Sequence, residues 1–190
     1  MKIGLLGGSF DPVHLGHLLV ARAAREELGL DWVCFIPAAQ SPFKPGTSPA
    51  PAPERLRLLR LALAGETECE IDDLEIRRGG VSYTVDTLRH YAGKFPGAEL
   101  FYLIGADQAA QLPQWREAGE LARLAQFIVA PRQGEKPAAL PAPFRGRALR
   151  GFPLAVSSSE IRARVKAGLP VTRLTPGAVA EAIANNRLYL

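Results

Sequence analysis

The chain has 190 residues, 47% hydrophobic and 22% charged, with a formal net charge of +4, an ordinary globular composition able to bury a real core in a single domain. No apolar run approaches the ~20 residues that cross a bilayer, and an amino terminus with one Lys before Gly-Gly-Ser-Phe-Asp is wrongly built for a signal peptide, so a cytoplasmic protein is expected. Charge is uneven, with 11 Lys/Arg against 14 Asp/Glu over residues 1–115 and 12 against 5 over residues 116–190; without a dense basic run or interleaved aromatics, this favours a polyphosphate ligand and no nucleic acid.

Lys2–Leu6 reads as a first strand. It leads through Gly7-Gly8-Ser9-Phe10-Asp11-Pro12-Val13-His14-Leu15-Gly16-His17 into a helix beginning near Leu15–His17 and ending at Gly29. A tight Gly-rich turn at a helix start aims backbone N–H groups and the positive end of a dipole at one point, which suits a phosphate. The chain has 3 histidines, and His14 and His17 both fall on this turn. Three residues apart on a starting helix, they face the same side. The turn lacks G-x-G-x-x-G, which argues against a dehydrogenase.

Asp31–Pro37 reads as a continuously apolar strand of a covered parallel sheet, so strand, helix and strand form a right-handed crossover. Residues 38–52 are a Pro-rich excursion whose single charge is Lys44; a loop of that length is a link or a functional lid. Pro53-Glu54 opens a helix with Leu56, Leu59 and Leu63 on one face. Arg55 sits in its first turn, where a cation is poorly placed against the dipole, so an anionic partner is expected for it. Glu68–Ile71 and Asp73–Ile76 read as strand and edge, Arg77–Thr84 as a polar loop, and Val85–Tyr91 as a helix with His90 on its surface.

Glu99–Gly105 reads as a central strand, followed by Ala106-Asp107 at its carboxyl end, the end where open α/β sheets bind ligands. Pro113-Gln114-Trp115 follows a short helix, Leu121–Ala125 ends another, and Gln126–Ala130 is a strand. Residues 131–147 form a second excursion. Pro153–Val156 reads as a last strand, Ser157–Arg162 opens a helix, and Thr175-Pro176-Gly177 starts the final one with Thr as cap. Cys34 and Cys69, with no C-x-x-C, read as buried free thiols.

With Gly8–His17, Ser82-Tyr83-Thr84, Gly105-Ala106-Asp107, Trp115 and Ser157–Arg162 in hand, the sequence resembles the bacterial nicotinate-nucleotide adenylyltransferases of the nucleotidyltransferase superfamily. The first and last motifs mark the superfamily, and Ser-Tyr-Thr with the Trp segment narrows it. The resemblance covers essentially the whole chain. It implies a Rossmann-like α/β fold, a parallel sheet with helices on both faces. It implies transfer of the adenylyl group of ATP to nicotinate mononucleotide, with Mg²⁺, releasing pyrophosphate in NAD synthesis. One departure stands out: the family's Pro-His-Lys is Pro42-Phe43-Lys44 here.

The resemblance also implies roles. In-line displacement by an ionised phosphate oxygen needs positioning and charge stabilisation, not a general base. His17 would donate to the α-phosphate, and His14 would hold bridging or β-phosphate oxygens. Lys44 and Arg162 would add charge, and Ser157 and Ser158 would hold the departing pyrophosphate. Gly8, Ser9, Phe10, Gly105 and Asp107 complete the ATP side, Asp107 on a ribose. Trp115 would stack on the pyridine ring, and Thr84 with its neighbours Ser82 and Tyr83 would receive the nicotinate carboxylate. Arg55 falls with this acceptor set. No protein-built metal site is expected. Local alternatives remain: Ser157–Glu160 as an ordinary capping box, Trp115 as core, Asp107 as a helix cap. So do phosphopantetheine or nicotinamide mononucleotide as acceptor, a non-catalytic nucleotide-binding module, and the oligomeric state, a homodimer included.

Overall fold

The computed structural model describes every residue except 44–48, 132–138 and 153. Six strands form one sheet: β1 (Lys2–Gly8), β2 (Trp32–Pro37), β3 (Cys69–Ile71), β4 (Glu99–Gly105), β5 (Gln126–Ala130) and β6 (Gly146–Ala148). Their order is β3-β2-β1-β4-β5-β6, and each neighbouring pair is parallel. The order reverses at β1, so the ends of β1 and β4 flank the crevice where such sheets bind ligands.

Alternation along the strands divides the core between two faces. Leu6, Val33, Phe35, Phe101, Leu103 and Ile128 pack on one face, with Leu58, Leu59, Val179 and Ile183 from α2 (Ala52–Ala62) and α8 (Gly177–Asn185). Ile3, Leu5, Cys34, Ile36, Tyr102 and Phe127 pack on the other, with Val85 and Leu88 of α4 (Thr84–Lys94) and Leu121 of α6 (Ala118–Leu124). Gly4 is required by close approach: a Cβ there would lie 2.8 Å from Leu30 Cδ1. Helix α1 (Leu15–Leu28) stops at Gly29, whose φ of 63° is the left-handed cap that glycine takes without strain.

Several expectations are corrected. Asp73–Ile76 is not an edge strand but lies in α3 (Leu74–Arg78). Its Asp-Leu-Glu-Ile alternation mimics a strand, but Asp72 Oδ1 accepts the Leu74 N–H at 2.9 Å and Arg77 pairs back to Asp73 at 2.6 Å, closing a helical turn. Strand β3 is correspondingly shorter than Glu68–Ile71. The second excursion runs into β6, which among the described residues pairs with β5 alone. Among the described residues 154–156 there is no strand. The inward face of α2 is Arg55, Leu58, Leu59 and Ala62, with Leu56 only half-buried. Thr175 does not cap α8; its hydroxyl donates to Val13 O at 3.1 Å. His90 is exposed and both cysteines are free, with Cys34 buried and Cys69 half-buried. Among the described residues no helix is long and apolar enough to cross a membrane.

Candidate active site

The turn between β1 and α1 is shaped by Phe10. Its φ of 47° is left-handed, an uncommon place for a bulky residue, and its side chain is 1% exposed. The surroundings hold that strain, as they often do at functional sites. The Phe10 ring meets His17 edge-on at 4.9 Å. The rings of His14 and His17 stack at 3.7 Å, so the predicted common face is real. The His14 N–H donates to His17 Nδ1 at 3.2 Å, which assigns the neutral His17 proton to Nε2. Burial without a charge partner lowers the His14 pKa to about 4, so the ring is neutral at pH 7. Among the described residues its Nδ1 has no hydrogen-bond partner.

A cavity of about 550 Å³ opens at this turn. Of the residues expected on the ATP side, Gly8, Ser9, Phe10, His14, His17, Gly105, Asp107, Ser157 and Ser158 all line it. Ser157 caps α7 (Ser158–Lys166) by accepting the Glu160 N–H at 3.2 Å, so the capping reading holds alongside the cavity reading. The Ser158 hydroxyl donates to Pro12 O at 2.9 Å.

A second cavity, of about 430 Å³, is lined by Tyr83, Thr84, Trp115 and Arg116 among others. A neck of about 60 Å³ lies between the two, sharing Gly7, Gly8, Ser9 and Ser41 with the first and Thr84, Trp115 and Pro42 with the second. Phe43 borders all three, its ring tilted against Trp115 at 5.1 Å. Trp115 is 8% exposed and meets Tyr102 and Phe127 edge-on, so it is both core and cavity wall. The Arg116 guanidinium lies 4.5 Å over the Tyr83 ring. The Ser82 hydroxyl accepts the Ala39 N–H at 2.9 Å, tying the Ser-Tyr-Thr turn to the root of the first excursion.

Arg55 and Arg162 sit elsewhere than on the wall of the large cavity, and Lys44 falls outside the described residues. Arg55 does not reach a cavity wall. It is 2% exposed, with Nη1 donating to Ser9 O at 2.7 Å and Nε to Ala50 O at 3.0 Å. Burial lowers its pKa, and the Asp11 carboxylate partly offsets this. Arg162 is not on the wall of the large cavity either. Its Nη1 donates to Asp11 O at 2.6 Å and lies 3.6 Å from Asp11 Oδ2. Each guanidinium answers a carbonyl of the turn; that of Arg162 remains part-exposed, with Nη2 3.4 Å from Ser159 Oγ.

The sequence reading missed Glu75 and Gln108. Glu75 is buried and borders the neck. Burial raises its pKa, against the opposing effect of hydrogen bonds from Thr87, at 2.5 Å, and Ser82. Read as a strand residue, it carried no signal; a helix at 74–78 would have turned it towards Ser82. Gln108 Oε1 accepts the Gly105 N–H at 3.1 Å and borders both the neck and the large cavity.

The cytidylyltransferase-like family model matches residues 5–164. A probable nicotinate-nucleotide adenylyltransferase of Opitutus terrae is 42% identical over 192 residues, covering 100% of this chain and 98% of its own. One of Bordetella pertussis is 43% identical, covering 99% and 98%. Among solved structures, a nicotinic acid mononucleotide adenylyltransferase of Plasmodium falciparum complexed with NaAD aligns with a TM-score of 0.81 at 17% identity, over 99% of this chain and 97% of that one. That likeness bears on the fold. With the family model spanning most of the chain and relatives above 40% identity along its length, the chain belongs to the cytidylyltransferase-like family and, within it, to the nicotinate-nucleotide adenylyltransferases.

Proposed function

We propose that the chain, acting as one nucleotidyltransferase unit over residues 1–190, transfers the adenylyl group of ATP to nicotinate mononucleotide in NAD synthesis. The observation that carries this is the pair of cavities joined at a neck bounded by Gly7–Ser9, Thr84 and Trp115. Two substrates, one in each cavity, would meet at the Gly7–Ser9 end of the histidine turn. Adenylate transfer needs this arrangement; a binding module would need only one of the cavities.

On this reading ATP occupies the large cavity, with its phosphates at the α1 N-terminus and between the histidines and Ser157–Ser158. The acceptor's phosphate oxygen attacks the α-phosphorus in line. A new P–O bond forms, the bond to the β-bridging oxygen breaks, and pyrophosphate leaves with the electron pair. His17 Nε2–H is the donor to α-phosphate charge as it develops. His14, neutral in the free protein, has its pKa raised when phosphate charge lies beside it. Arg162 acts by bracing the turn through Asp11, and Lys44 stays a candidate phosphate contact. Asp107 serves the ribose or the magnesium complex. Trp115 and Thr84 receive the pyridine ring and its carboxylate; N–H and O–H donors there favour an acid over an amide.

Among the described residues there is no group of three His, Cys, Asp or Glu side chains able to hold a metal ion. Asp107 is the carboxylate on the described wall of the large cavity. That fits magnesium carried in on the triphosphate with most of its waters, held by one carboxylate and the phosphates. Bound there, it would withdraw charge from the phosphates.

The test is pyrophosphate release from ATP and Mg²⁺ with nicotinate mononucleotide, nicotinamide mononucleotide or phosphopantetheine. Fastest release with the first is expected. Faster turnover with phosphopantetheine overturns the acceptor, and none with any acceptor favours the binding module.

A further inference from the structure

The histidine turn makes few backbone hydrogen bonds of its own. Its carbonyls are answered by side chains from distant parts of the chain: Ser9 by Arg55, Asp11 by Arg162, Pro12 by Ser158 and Val13 by Thr175. Of these, Arg55 is the one that also grips a second segment. Its Nε donates to Ala50 O at 3.0 Å, and the Ala50 N–H donates to Asp11 Oδ1 at 3.1 Å. Both backbone groups of Ala50 are therefore bolted to the turn. Ala50 belongs to the first excursion, residues 38–52, and Ser9, whose carbonyl Arg55 also holds, borders both the large cavity and the neck.

We infer that Arg55 is a positioning residue that couples the two substrate sides, fixing the histidine turn and Ala50 of the first excursion with one guanidinium. The inference rests on the reading above that His14 and His17 face the phosphates.

A buried cation is expensive, and an apolar side chain of similar volume often replaces one at little cost. Here an apolar side chain would leave the Ser9 and Ala50 carbonyls without donors, so stability also favours the guanidinium, and turnover with the imidazole signals is what separates the two roles. The guanidinium's planar fork can serve two carbonyls with different nitrogens at fixed spacing; an ammonium, as a point charge, holds one of them well.

The experiment compares wild type, Arg55→Lys and Arg55→Met. Turnover and both KM values are measured per folded molecule, and imidazole proton signals are followed by NMR with exposed His90 as internal reference. For Arg55→Met we expect turnover lower by at least ~10-fold, since a misplacement of about 1 Å costs on the order of 10²-fold. KM for the acceptor should rise more than KM for ATP. Arg55→Lys should recover part of the loss. The His14 and His17 signals should shift in both variants while that of His90 stays. Turnover within about 2-fold of wild type, with unmoved His14 and His17 signals, overturns the inference even if the melting temperature falls. If Arg55→Met does not fold, Arg55→Lys carries the same two readouts. A wild type that releases no pyrophosphate with any acceptor removes the proposed reaction, and the NMR arm still decides whether Arg55 sets the turn.

Discussion

The backbone N–H of His14 donates to Nδ1 of His17, and the two rings lie stacked 3.7 Å apart. The bond sets the tautomer of one ring, and the stacking makes a second positive charge costly once one ring is protonated. The pair therefore offers one donor of fixed direction and one site whose charge follows the ligand.

Replacing His17 by Ala should lower kcat by about 10²–10³, as loss of one preorganised donor does, with a small change in KM for ATP. A donor used on developing charge acts on turnover. Steady-state kinetics at varied ATP checks it; a weaker KM with unchanged kcat would make His17 a ground-state contact.

His14 carries a pH signature. Its folded pKa of about 4 lies below the 6.5 of a free imidazole. The unfolded chain therefore binds the proton first as pH falls. Stability from burying the neutral ring is complete above 6.5 and is lost as pH drops from there through about 4. His14→Gln should flatten the melting temperature over that window. ATP, by raising the same pKa, should draw a proton onto the wild type at about pH 6, an uptake absent in His14→Gln. Calorimetry in buffers of different ionisation heat measures it.

Gly16 gives the ring its room. A Cβ there would lie 3.0 Å from His14 Nδ1 and 3.1 Å from Val156 Cγ1. Gly16→Ala should push His14 aside, lowering kcat by roughly 10-fold or more. Gly16 is the second residue of α1, in its first turn, where alanine gains at most about 1 kcal/mol over glycine, so the melting temperature should change little. Equal kcat in both proteins would show that His14 tolerates the shift.

Trp115 is wall and core at once, so Trp115→Ala should show both effects. KM for the acceptor should rise roughly 5- to 150-fold if stacking resembles base–aromatic contacts, and stability should fall by about 3–5 kcal/mol. Trp115→Phe keeps a ring and should recover most of the KM. A KM for ATP that rises equally would assign the loss to general distortion.

The sequence made some parts legible and hid others for physical reasons. Strands β4 and β5 emerge with their observed bounds because both are continuously apolar and flanked by clear breaks. The histidine turn declares itself by its glycines and the i, i+3 spacing. Arg55 is instructive: the dipole argument expects an anionic partner for a cation in a helix's first turn, and its hydrogen bonds go to backbone carbonyls instead. They lie beside the Asp11 charge, and nothing local in the sequence names them. Thr175 has the composition of a cap but is taken by Val13, a partner 162 residues away in sequence. Strand β6 is three residues long with two of them exposed, so only its neighbour β5 makes it a strand.

The braces of the histidine turn also have an order in time. Strands β1 to β5 end by Ala130, yet Pro12, Val13 and Leu15 wait for Ser158, Thr175 and Leu174. On a ribosome the chain can lay down most of its sheet while His14 and His17 still sit on an open turn. The turn can therefore be braced as the structure shows only after the segment carrying Thr175 has been made.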